Sequence, residues 1–262
     1  MSRVWTPDDI VRVSAEWVWM PYDAVVREDE RAKVVSSTGR TTVHRADGDD
    51  AEELIAHVKG LANAADPTFE LMWPVFSFTK PEDLGQRLLA HGAGVAEELD
   101  INAFAFGTDT LALDAPGDIT VRRIDDGSLL YDAHVVSAEV FGTPMPSEEF
   151  RAAEADNMLK QVALGEKREI FRYVAYDGQR PIGAGGFTYE DTVAKLWGGS
   201  VVESHRGRGV YRALLASRMD DAAAWGATLA LVKARTGTSS PILRRAGFRA
   251  FGREYVYRVP LD

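Results

Sequence analysis

Between residues 206 and 212 the chain combines glycines, arginines and the start of a helix in a pattern suited to binding phosphate. The stretch reads Arg206-Gly207-Arg208-Gly209-Val210-Tyr211-Arg212. Glycine lets the backbone approach a ligand without a clash at Cβ, and the N–H groups of a first helical turn have no acceptor within the helix. Together with the helix dipole, these donors attract an anion such as a pyrophosphate. The three arginines add positive charge, and no carboxylate stands among them in the sequence.

A plain strand-to-helix turn with solvated arginines is the alternative explanation of this stretch. The surrounding pattern favours the anion site, because it predicts a strand over Val193–Val202 and a helix over Gly207–Trp225. In that order, the N-terminus of the helix faces a ligand that lies beyond the end of the strand.

The rest of residues 118–262 alternates strands and helices. Further strands are predicted at Ile119–Arg122, Phe171–Ala175, Ile182–Tyr189, Leu229–Lys233 and Val256–Val259, with turns at Asp177-Gly178 and Glu190-Asp191. Further helices are predicted at Gly127–Phe141, Pro146–Leu164 and Ser239–Ala246. The pattern predicts an α/β fold with a mixed sheet.

Residues 1–112 also alternate the two element types. Helices are predicted at Thr6–Trp19, from Asp49 to Leu61, and at Pro81–His91. Strands are predicted at Ala24–Val26, Lys33–Ser36, Thr41–His44, Phe69–Phe78 and Ile101–Phe106.

The segment Ala194–Leu215 and the order β-α-α-β-β-β-α-β-α-β resemble the GNAT superfamily of acyl-CoA-dependent N-acyltransferases. The phosphate-binding pattern of that family is Arg/Gln-x-x-Gly-x-Gly/Ala. Arg206 and Gly209 match it, whereas Tyr211 stands in place of the last small residue. The resemblance implies a central mixed twisted sheet flanked by helices. It also implies acetyl-CoA as the acyl donor, held at Arg206, Gly207, Arg208, Gly209, Val210, Tyr211 and Arg212.

In the GNAT family the strand before the loop splays from the next strand, and its free N–H groups hold the acyl carbonyl. By resemblance, Val201 and Val202 lie at that place and would form an oxyanion hole. Downstream, Ala234–Phe248 is similar to the family's strand, loop and helix ending in Gly-Phe. Thr236 stands where many members have an Asn that contacts the pantetheine arm.

Two residues that many members use in catalysis are replaced. The family's general base, a Glu on the strand before the loop, corresponds to Lys195, which cannot accept a proton while protonated. The family's tyrosine acid corresponds to Leu243. Of the carboxylates and histidines nearby we place Glu203 in the site as base; the others are Glu190, Asp191 and His205, and a solvated turn residue is the alternative for each.

The hydroxyl groups nearest the expected thiolate belong to Ser239, Ser240 and Tyr211, and we place Ser240 in the site as acid. A helix N-cap is the alternative role for either serine. Glu139 and Glu154 lie on the two helices that wall the acceptor pocket in the family. They could attract an ammonium group, with exposed helix carboxylates as the alternative. The chain has no cysteine, which excludes a cysteine acyl-enzyme and fits direct attack by the amine.

Residues 1–112 resemble a second, degenerate GNAT-like domain that precedes the catalytic domain of residues 118–262. The matching strand-to-helix junction, Thr42–Asp50, is acidic and has no Arg-Gly-x-Gly. It would repel a pyrophosphate, so we expect no coenzyme loop in this domain.

Charge and composition limit the partners. Residues 1–117 carry 10 Lys and Arg against 21 Asp and Glu, a net of −11, and residues 118–262 carry 20 against 19. An acidic chain argues against a nucleic-acid partner. No apolar run approaches the ~20 residues of a membrane helix, no signal-peptide layout opens the chain, and no histidine pair has metal-ligand spacing. We therefore expect a cytoplasmic protein without metal.

The sequence predicts an N-acetyltransferase that acts on a small-molecule or amino-acid-like amine. One alternative is a catalytically silent acetyl-CoA-binding regulatory module, favoured by the replaced Glu and Tyr. Another is a protein or peptide acetyltransferase, with the acidic residues 1–112 docking a basic partner.

Overall fold

The protein is described from a computed structural model that covers residues 3–17, 20, 24–37, 39–113 and 115–261. The chain divides into two compact units. The C-terminal unit contains residues 1–6, 102–232 and 241–249, and the N-terminal unit contains residues 7–101, 233–240 and 250–262. The units interleave along the chain, whereas the proposed domains, 1–112 and 118–262, are contiguous. The reason is that the last strand pairs with a strand of the N-terminal residues. That residues 1–112 and 118–262 are two copies of one fold stays a proposal.

The helices and strands follow the predicted order. In chain order they are α1 (Pro7–Glu16), β1 (Val25–Glu28), β2 (Ala32–Ser37), β3 (Arg40–Ala46), α2 (Ala51–Ala65), β4 (Glu70–Phe76), α3 (Leu84–Ala90), β5 (Gly94–Ala105), β6 (Ile119–Arg123), α4 (Gly127–Phe141), α5 (Glu148–Ala163), β7 (Ile170–Asp177), β8 (Arg180–Glu190), β9 (Val193–Val201), α6 (Val210–Ala224), β10 (Leu229–Arg235), α7 (Ser239–Arg245) and β11 (Arg249–Val259).

In the N-terminal unit the strand order is β1-β2-β3-β4-β11. The pair β3 and β4 is parallel, and the pairs β1–β2, β2–β3 and β4–β11 are antiparallel. Helix α2 packs on β2 and β3. Its buried side chains, with those of the strands, form a core that includes Val34, Leu54, Val58, Leu71 and Trp73.

In the C-terminal unit the strand order is β10-β9-β8-β7-β6. Only the pair β9–β10 is parallel. The β8–β9 hairpin turns at Asp191 and Thr192, whose φ angles of 48° and 65° are those of a type I′ turn. Such a turn matches the right-handed twist of the two strands. Helix α6 packs on β8 and β9, and helix α4 packs on β8, with α5 against α4.

The same order of elements occurs twice in the chain. Three antiparallel strands, a helix, a parallel strand, a helix and a last strand run from β1 to β5 and again from β7 to β11. A mixed sheet flanked by helices, as predicted, is confirmed. Helix α4 has the predicted bounds, because Asp126 caps its N-terminus and Gly142 ends it in the left-handed conformation.

Several predicted boundaries were wrong. Helix α2 ends at Ala65 and not at Leu61, and α3 begins at Leu84 and not at Pro81. The predicted end of the first helix, Trp19, lies outside the described residues.

Helix α6 begins at Val210 and not at Gly207, because Gly207 and Gly209 have φ angles of 78° and 86° that a helix does not accommodate. Strands β5 and β11 begin seven residues earlier than predicted, since part of each is exposed and the apolar alternation is weak there. Among the described helices, none combines the length and the apolar character needed to cross a membrane.

Candidate active site

The strand before the arginine loop loses one of its two neighbours along its length. Strands β9 and β10 pair in parallel from Val193–Leu229 to Lys195–Leu231. Strand β9 continues for six more residues, to Val201, and remains paired with β8 on its other edge. Its edge toward β10 therefore carries backbone groups outside the ladder, from Leu196 onward.

The same half of β9 contains a β-bulge. Trp197 pairs with Gly186 and Ser200 pairs with Ala184, so Gly198 and Gly199 both stand opposite Gly185. Two residues against one leave backbone groups unpaired and bend the strand. The φ of Gly198 is 64°, and both bulge glycines are exposed. The bulge therefore presents accessible N–H groups on an opened strand.

Of the two valines predicted to hold an acyl oxygen, the geometry favours one. The N–H of Val202 donates to the carbonyl oxygen of Ile182 at 3.0 Å, so it is already used within the sheet. Hydrogen-bonded and non-hydrogen-bonded pairs alternate in an antiparallel ladder. The N–H of Val201, which pairs with Gly183, therefore points to the open edge. The N–H of Val202 is engaged within the sheet, and the assignments of Val201 and Val202 to the coenzyme site stay predictions.

The loop after β9 prepares the start of helix α6. A single 3₁₀ turn spans Glu203–His205, and two left-handed glycines follow at 207 and 209. Gly209 is the N-cap and has no side chain to cap the helix. The first helical bond runs from the N–H of Ala213 to the carbonyl oxygen of Gly209 at 3.0 Å. Three N–H donors, those of Val210, Tyr211 and Arg212, are thereby left without a helical acceptor.

The three arginines of the loop differ in their partners. Arg208 Nη2 lies 3.1 Å from Asp177 Oδ2 and 3.9 Å from Asp118 Oδ2. No carboxylate lies within residues 206–212 of the sequence, but the β7–β8 hairpin brings Asp177 to the loop. Arg206 Nε donates to the carbonyl oxygen of Val201 at 3.4 Å. The guanidinium of Arg212 lies over Gly209, where an added Cβ would be 3.1 Å from its Nη2.

Tyr211, the departure from the family pattern, is accommodated by the bulge. A Cβ added at Gly199 would lie 2.7 Å from Tyr211 Cε2, so the ring packs directly on that glycine. Below it, Arg218 is fully buried in helix α6 and donates to the carbonyl oxygen of Leu214 at 3.1 Å. Burial lowers the pKa of Arg218, although the neighbouring Tyr211 phenol acts in the opposite direction. The glycine and the tyrosine thus form a matched pair that fixes the shape of the bulge.

The site of the second unit differs at the equivalent helix. Asp50 caps helix α2 and accepts from the N–H of Glu53 at 2.9 Å. Glu52 and Glu53 also stand in its first turn. These carboxylates occupy the positive end of the helix dipole, so α2 has no counterpart of the open N-terminus of α6.

Comparison with known proteins agrees with this geometry. A family model described as "Acetyltransferase (GNAT) family" matches residues 137–248. The protein "Uncharacterized N-acetyltransferase YjcF" of Bacillus subtilis (strain 168) is 32% identical over 122 residues, which are 46% of this chain and 78% of that protein. The chain belongs to the GNAT acetyltransferase family. Membership supports an acyltransferase activity.

Solved GNAT structures share the fold over most of the chain. A GCN5-related N-acetyltransferase from Kribbella flavida has a TM-score of 0.62 at 17% identity, covering 90% of each chain. A tandem GNAT protein from the clavulanic acid biosynthesis pathway has a TM-score of 0.61 at 12% identity. It covers 95% of this chain and 86% of that one. The similarity therefore includes the N-terminal unit.

Lys195 and Leu243 stand at the positions of the usual GNAT base and acid. Lys195 is buried, and its Nζ lies 2.6 Å from Glu190 Oε2. This ion pair also engages Glu190, one of the alternative bases. Leu243 is fully buried. The leucine side chain carries no proton to transfer, and the lysine is engaged by Glu190.

The other residues proposed for proton transfer lie in different surroundings. Glu203 is exposed in the 3₁₀ turn, and Asp191 is exposed in the β8–β9 turn. His205 is buried with its Nε2 3.3 Å from Asp177 Oδ2 and its Nδ1 2.9 Å from Ser204 Oγ. The role of Glu203 as general base stays a prediction. Both ring nitrogens of His205 are within hydrogen-bond distance of neighbouring side chains.

Ser240 and Thr236 belong to the N-terminal unit. Ser240 lies inside the first turn of α7, not at its cap, and its Oγ donates to Asp100 Oδ2 at 2.7 Å while fully buried. Thr236 follows β10 and donates its N–H to the carbonyl oxygen of Glu98 at 3.1 Å. Their roles as acid and as pantetheine contact stay predictions.

The pairing of Glu154 with His134 was not predicted from the sequence, which offered Glu154 as an acceptor-pocket or exposed helix carboxylate. His134 of α4 and Glu154 of α5 meet in a buried hydrogen bond of 2.5 Å between Nε2 and Oε2. Glu154 also lies 2.5 Å from Arg172 Nη1. Burial alone would raise the pKa of Glu154, but the hydrogen bond to His134 and the charge of Arg172 lower it. The helical periodicity of α5, which places Glu154 on the same face as buried Met158, was the available signal.

Within the described residues, no group of three or more His, Asp and Glu side chains has an arrangement suited to a metal ion.

Proposed function

We propose that the C-terminal unit binds acetyl-CoA at residues 206–212 and transfers the acetyl group to an amine of a small-molecule or amino-acid-like acceptor. The observation that carries this proposal is the uncapped N-terminus of α6 directly after a strand whose parallel pairing stops. Three N–H donors of the helix start would hold the pyrophosphate. Arg206 and Arg212 would add charge-assisted hydrogen bonds.

The opened edge of β9 would hold the thioester. The N–H groups at the Gly198–Gly199 bulge and at Val201 are backbone donors outside the ladder. Donors of this kind stabilise the negative charge that develops on the carbonyl oxygen when the amine attacks. Because they are fixed by the sheet, they need no reorganisation during the reaction.

The transfer itself would be direct. The chain has no cysteine, so the amine nitrogen attacks the thioester carbon, and CoA leaves as a thiolate that takes a proton. The N-terminal unit would not bind a second coenzyme, because the carboxylates of Asp50, Glu52 and Glu53 would repel a pyrophosphate at α2.

A steady-state assay with acetyl-CoA and a panel of primary amines tests the proposal, with release of free thiol as the readout. We expect turnover that depends on the amine and a matching acetylated product in mass spectrometry. Polyamines, aminoglycosides and free amino acids cover the proposed acceptors, and lysine-containing peptides cover the peptide alternative. Thiol release that is independent of any amine would contradict the proposal.

A second function is supported by a specific observation. Lys195 is held by Glu190, and Leu243 is buried where the family's acid would stand. A module that binds acetyl-CoA and catalyses nothing fits these two replacements. Saturable acetyl-CoA binding without turnover on any amine of the panel would favour this regulatory module over the enzyme.

A further inference from the structure

A buried arginine of helix α6 lies directly behind the bulge of β9. Arg218 is 1% exposed. Its Nε donates to the carbonyl oxygen of Leu214 at 3.1 Å, and its Nη1 lies 3.5 Å from the carbonyl oxygen of Gly186. Its Nη2 is also buried and makes no hydrogen bond with any described residue. A buried donor without an acceptor is uncommon and calls for an explanation.

The positive charge of Arg218 has no counter-charge. Among the described residues no carboxylate pairs with it, and the groups that favour its charged form are the phenols of Tyr211 and Tyr173. Burial raises the pKa of both phenols and keeps them neutral. Burying a charge is costly unless an opposite charge accompanies it, yet a guanidinium stays protonated in proteins. The C-terminal unit therefore keeps a positive charge in its interior that no described group balances.

The guanidinium of Arg218 reaches the backbone of the bulge because glycines stand in front of it. A Cβ added at Gly199 would lie 3.6 Å from Nη2, and one added at Gly185 would lie 3.2 Å from Nη1. The ring of Tyr211 covers the same side of Gly199. The cation and the N–H groups of the bulge thus lie on either side of one glycine backbone.

We propose that Arg218 is a positioning residue of the acetyl transfer, which acts through the backbone of Gly199 to stabilise the oxyanion held at the bulge. This inference rests on the proposed function. The amine nitrogen forms a bond to the acetyl carbon, and the π electron pair of the carbonyl moves onto its oxygen. When this oxyanion collapses, the C–S bond breaks and its electron pair leaves with the CoA sulfur. The amine nitrogen loses its proton to solvent, and the thiolate takes one from solvent.

The missing counter-charge of Arg218 is then the oxyanion itself. In a buried site a positive charge attracts a nearby negative one far more strongly than it does in water. The thioester oxygen is neutral before attack and negative after it, so the attraction acts on the transition state and not on the bound coenzyme. A fixed charge of this kind needs no reorganisation during the reaction. The effect should therefore appear in kcat and not in acetyl-CoA affinity.

Few titratable groups face Arg218. Helix α6 packs on β6, β7, β8 and β9, and β8 and β9 present glycines to the guanidinium. On β7, the hydroxyl of Tyr173 donates to Asp221 Oδ2 of α6 at 2.6 Å. On β6, Arg123 Nη1 lies 3.3 Å from the same carboxylate. The two phenols stay protonated over the assay range of about pH 6 to 9, so a pH effect specific to a variant at residue 218 reports on that side chain.

The first test compares Arg218→Met with Arg168→Met. Arg168 is the matched control, because it is a 5% exposed arginine of the same unit whose charge is paired with Asp125 Oδ1 at 2.5 Å. Each variant is assayed for kcat, for the acetyl-CoA dissociation constant and for the melting temperature. Arg218→Met should lower kcat by about 10- to 100-fold, less than the loss of a direct oxyanion donor, and should change the dissociation constant less than about threefold. Arg168→Met should change kcat less than about twofold, although both variants lower the melting temperature.

Arg218→Lys gives a readout that a purely structural role would not move. Burial lowers the pKa of a lysine, so its ammonium loses the proton as the pH rises. The kcat of Arg218→Lys relative to that of the wild type should fall at least about threefold between about pH 6 and pH 9, toward the value of Arg218→Met. Over the same range the free energy of unfolding of Arg218→Lys should rise, because the unfolded chain keeps that proton up to about pH 10.4. A loss of activity caused by unfolding would run in the opposite direction.

The outcomes separate this inference from the proposed function. No turnover by the wild-type protein on any amine overturns both. With an active wild type, a normal kcat in folded Arg218→Met, or a relative kcat of Arg218→Lys that does not change with pH, overturns the role of Arg218 and leaves the acetyltransferase intact. If Arg218→Met does not fold, Arg218→Lys decides alone: a relative kcat that falls with pH supports the charge, and a constant one contradicts it.

Discussion

The different surroundings of Arg208 and Arg212 predict that the two arginines contribute unequally to acetyl-CoA affinity. The sequence predicted that both arginines bind the pyrophosphate. In the structure Arg208 is already paired with Asp177 at 3.1 Å, whereas Arg212 forms no ion pair with any described residue. A phosphate that binds Arg208 must displace a carboxylate, and one that binds Arg212 displaces only water.

The magnitudes follow from this difference. Exchanging one exposed partner for another gives Arg208 a net contribution of about 0–1 kcal/mol. A new hydrogen bond to a charged group gives Arg212 about 1.5–3 kcal/mol. Since 1.4 kcal/mol is tenfold in affinity, Arg212→Met should raise the acetyl-CoA dissociation constant by about 10- to 100-fold. Arg208→Met should raise it by about fivefold at most.

Isothermal titration calorimetry with acetyl-CoA measures both effects, at low and at physiological salt because phosphate contacts are screened by ions. Asp177→Asn is the control for the pairing. It frees Arg208 and should tighten binding by a few-fold, and Arg208→Met should then cost more in its background. A larger loss for Arg208→Met than for Arg212→Met in the wild-type background would refute this reasoning.

Three further predictions concern the bulge, the core and acid stability. Gly199→Val should destabilise the protein by about 1–3 kcal/mol, because its Cβ would press on the ring of Tyr211, and adding Tyr211→Ala should restore the melting temperature. Leu243→Tyr should lower stability in urea denaturation by a similar amount without raising turnover, since this position is fully buried. Burial, with the charges of two lysines, lowers the pKa of His44 to about 4. In the unfolded chain His44 binds a proton below about pH 6.5, whereas in the folded protein it binds one only near pH 4. The free energy of unfolding is therefore highest above pH 6.5 and falls as the pH drops toward 4. The loss is about 1–2 kcal/mol after discount for partial exposure; denaturation of His44→Gln should show a flatter acid limb, and an unchanged limb would exclude His44 as its cause.

The parts of the fold that the sequence predicts are those set by local signals. Helix α4 was predicted to its terminal residues, because the cap at Asp126 and the left-handed Gly142 lie within the segment itself. The junction of strand β9, the glycine-rich loop and helix α6 was predicted for the same reason, although the start of α6 was placed three residues too early. Glycine spacing and the adjoining strand and helix are all contained in about thirty residues of chain.

The parts that the sequence did not predict depend on contacts between distant residues. Asp177 reaches Arg208 across 31 positions, and Ser240 reaches Asp100 across 140. The packing of Tyr211 on Gly199 depends on a one-residue bulge in β9, which no local sequence pattern predicts. These contacts change the chemistry of the site, since they decide which arginine, hydroxyl or N–H group remains available to a ligand.

The central claim is that one acetyl-CoA binds per chain, at the start of helix α6. Calorimetric titration of acetyl-CoA into the wild-type protein and into the pair Arg206→Glu with Arg212→Glu tests it most directly. We predict one site in the wild type and a dissociation constant raised at least about tenfold, roughly 1.4 kcal/mol, in the folded double variant. Two sites per chain, or unchanged affinity in the double variant, would contradict the account.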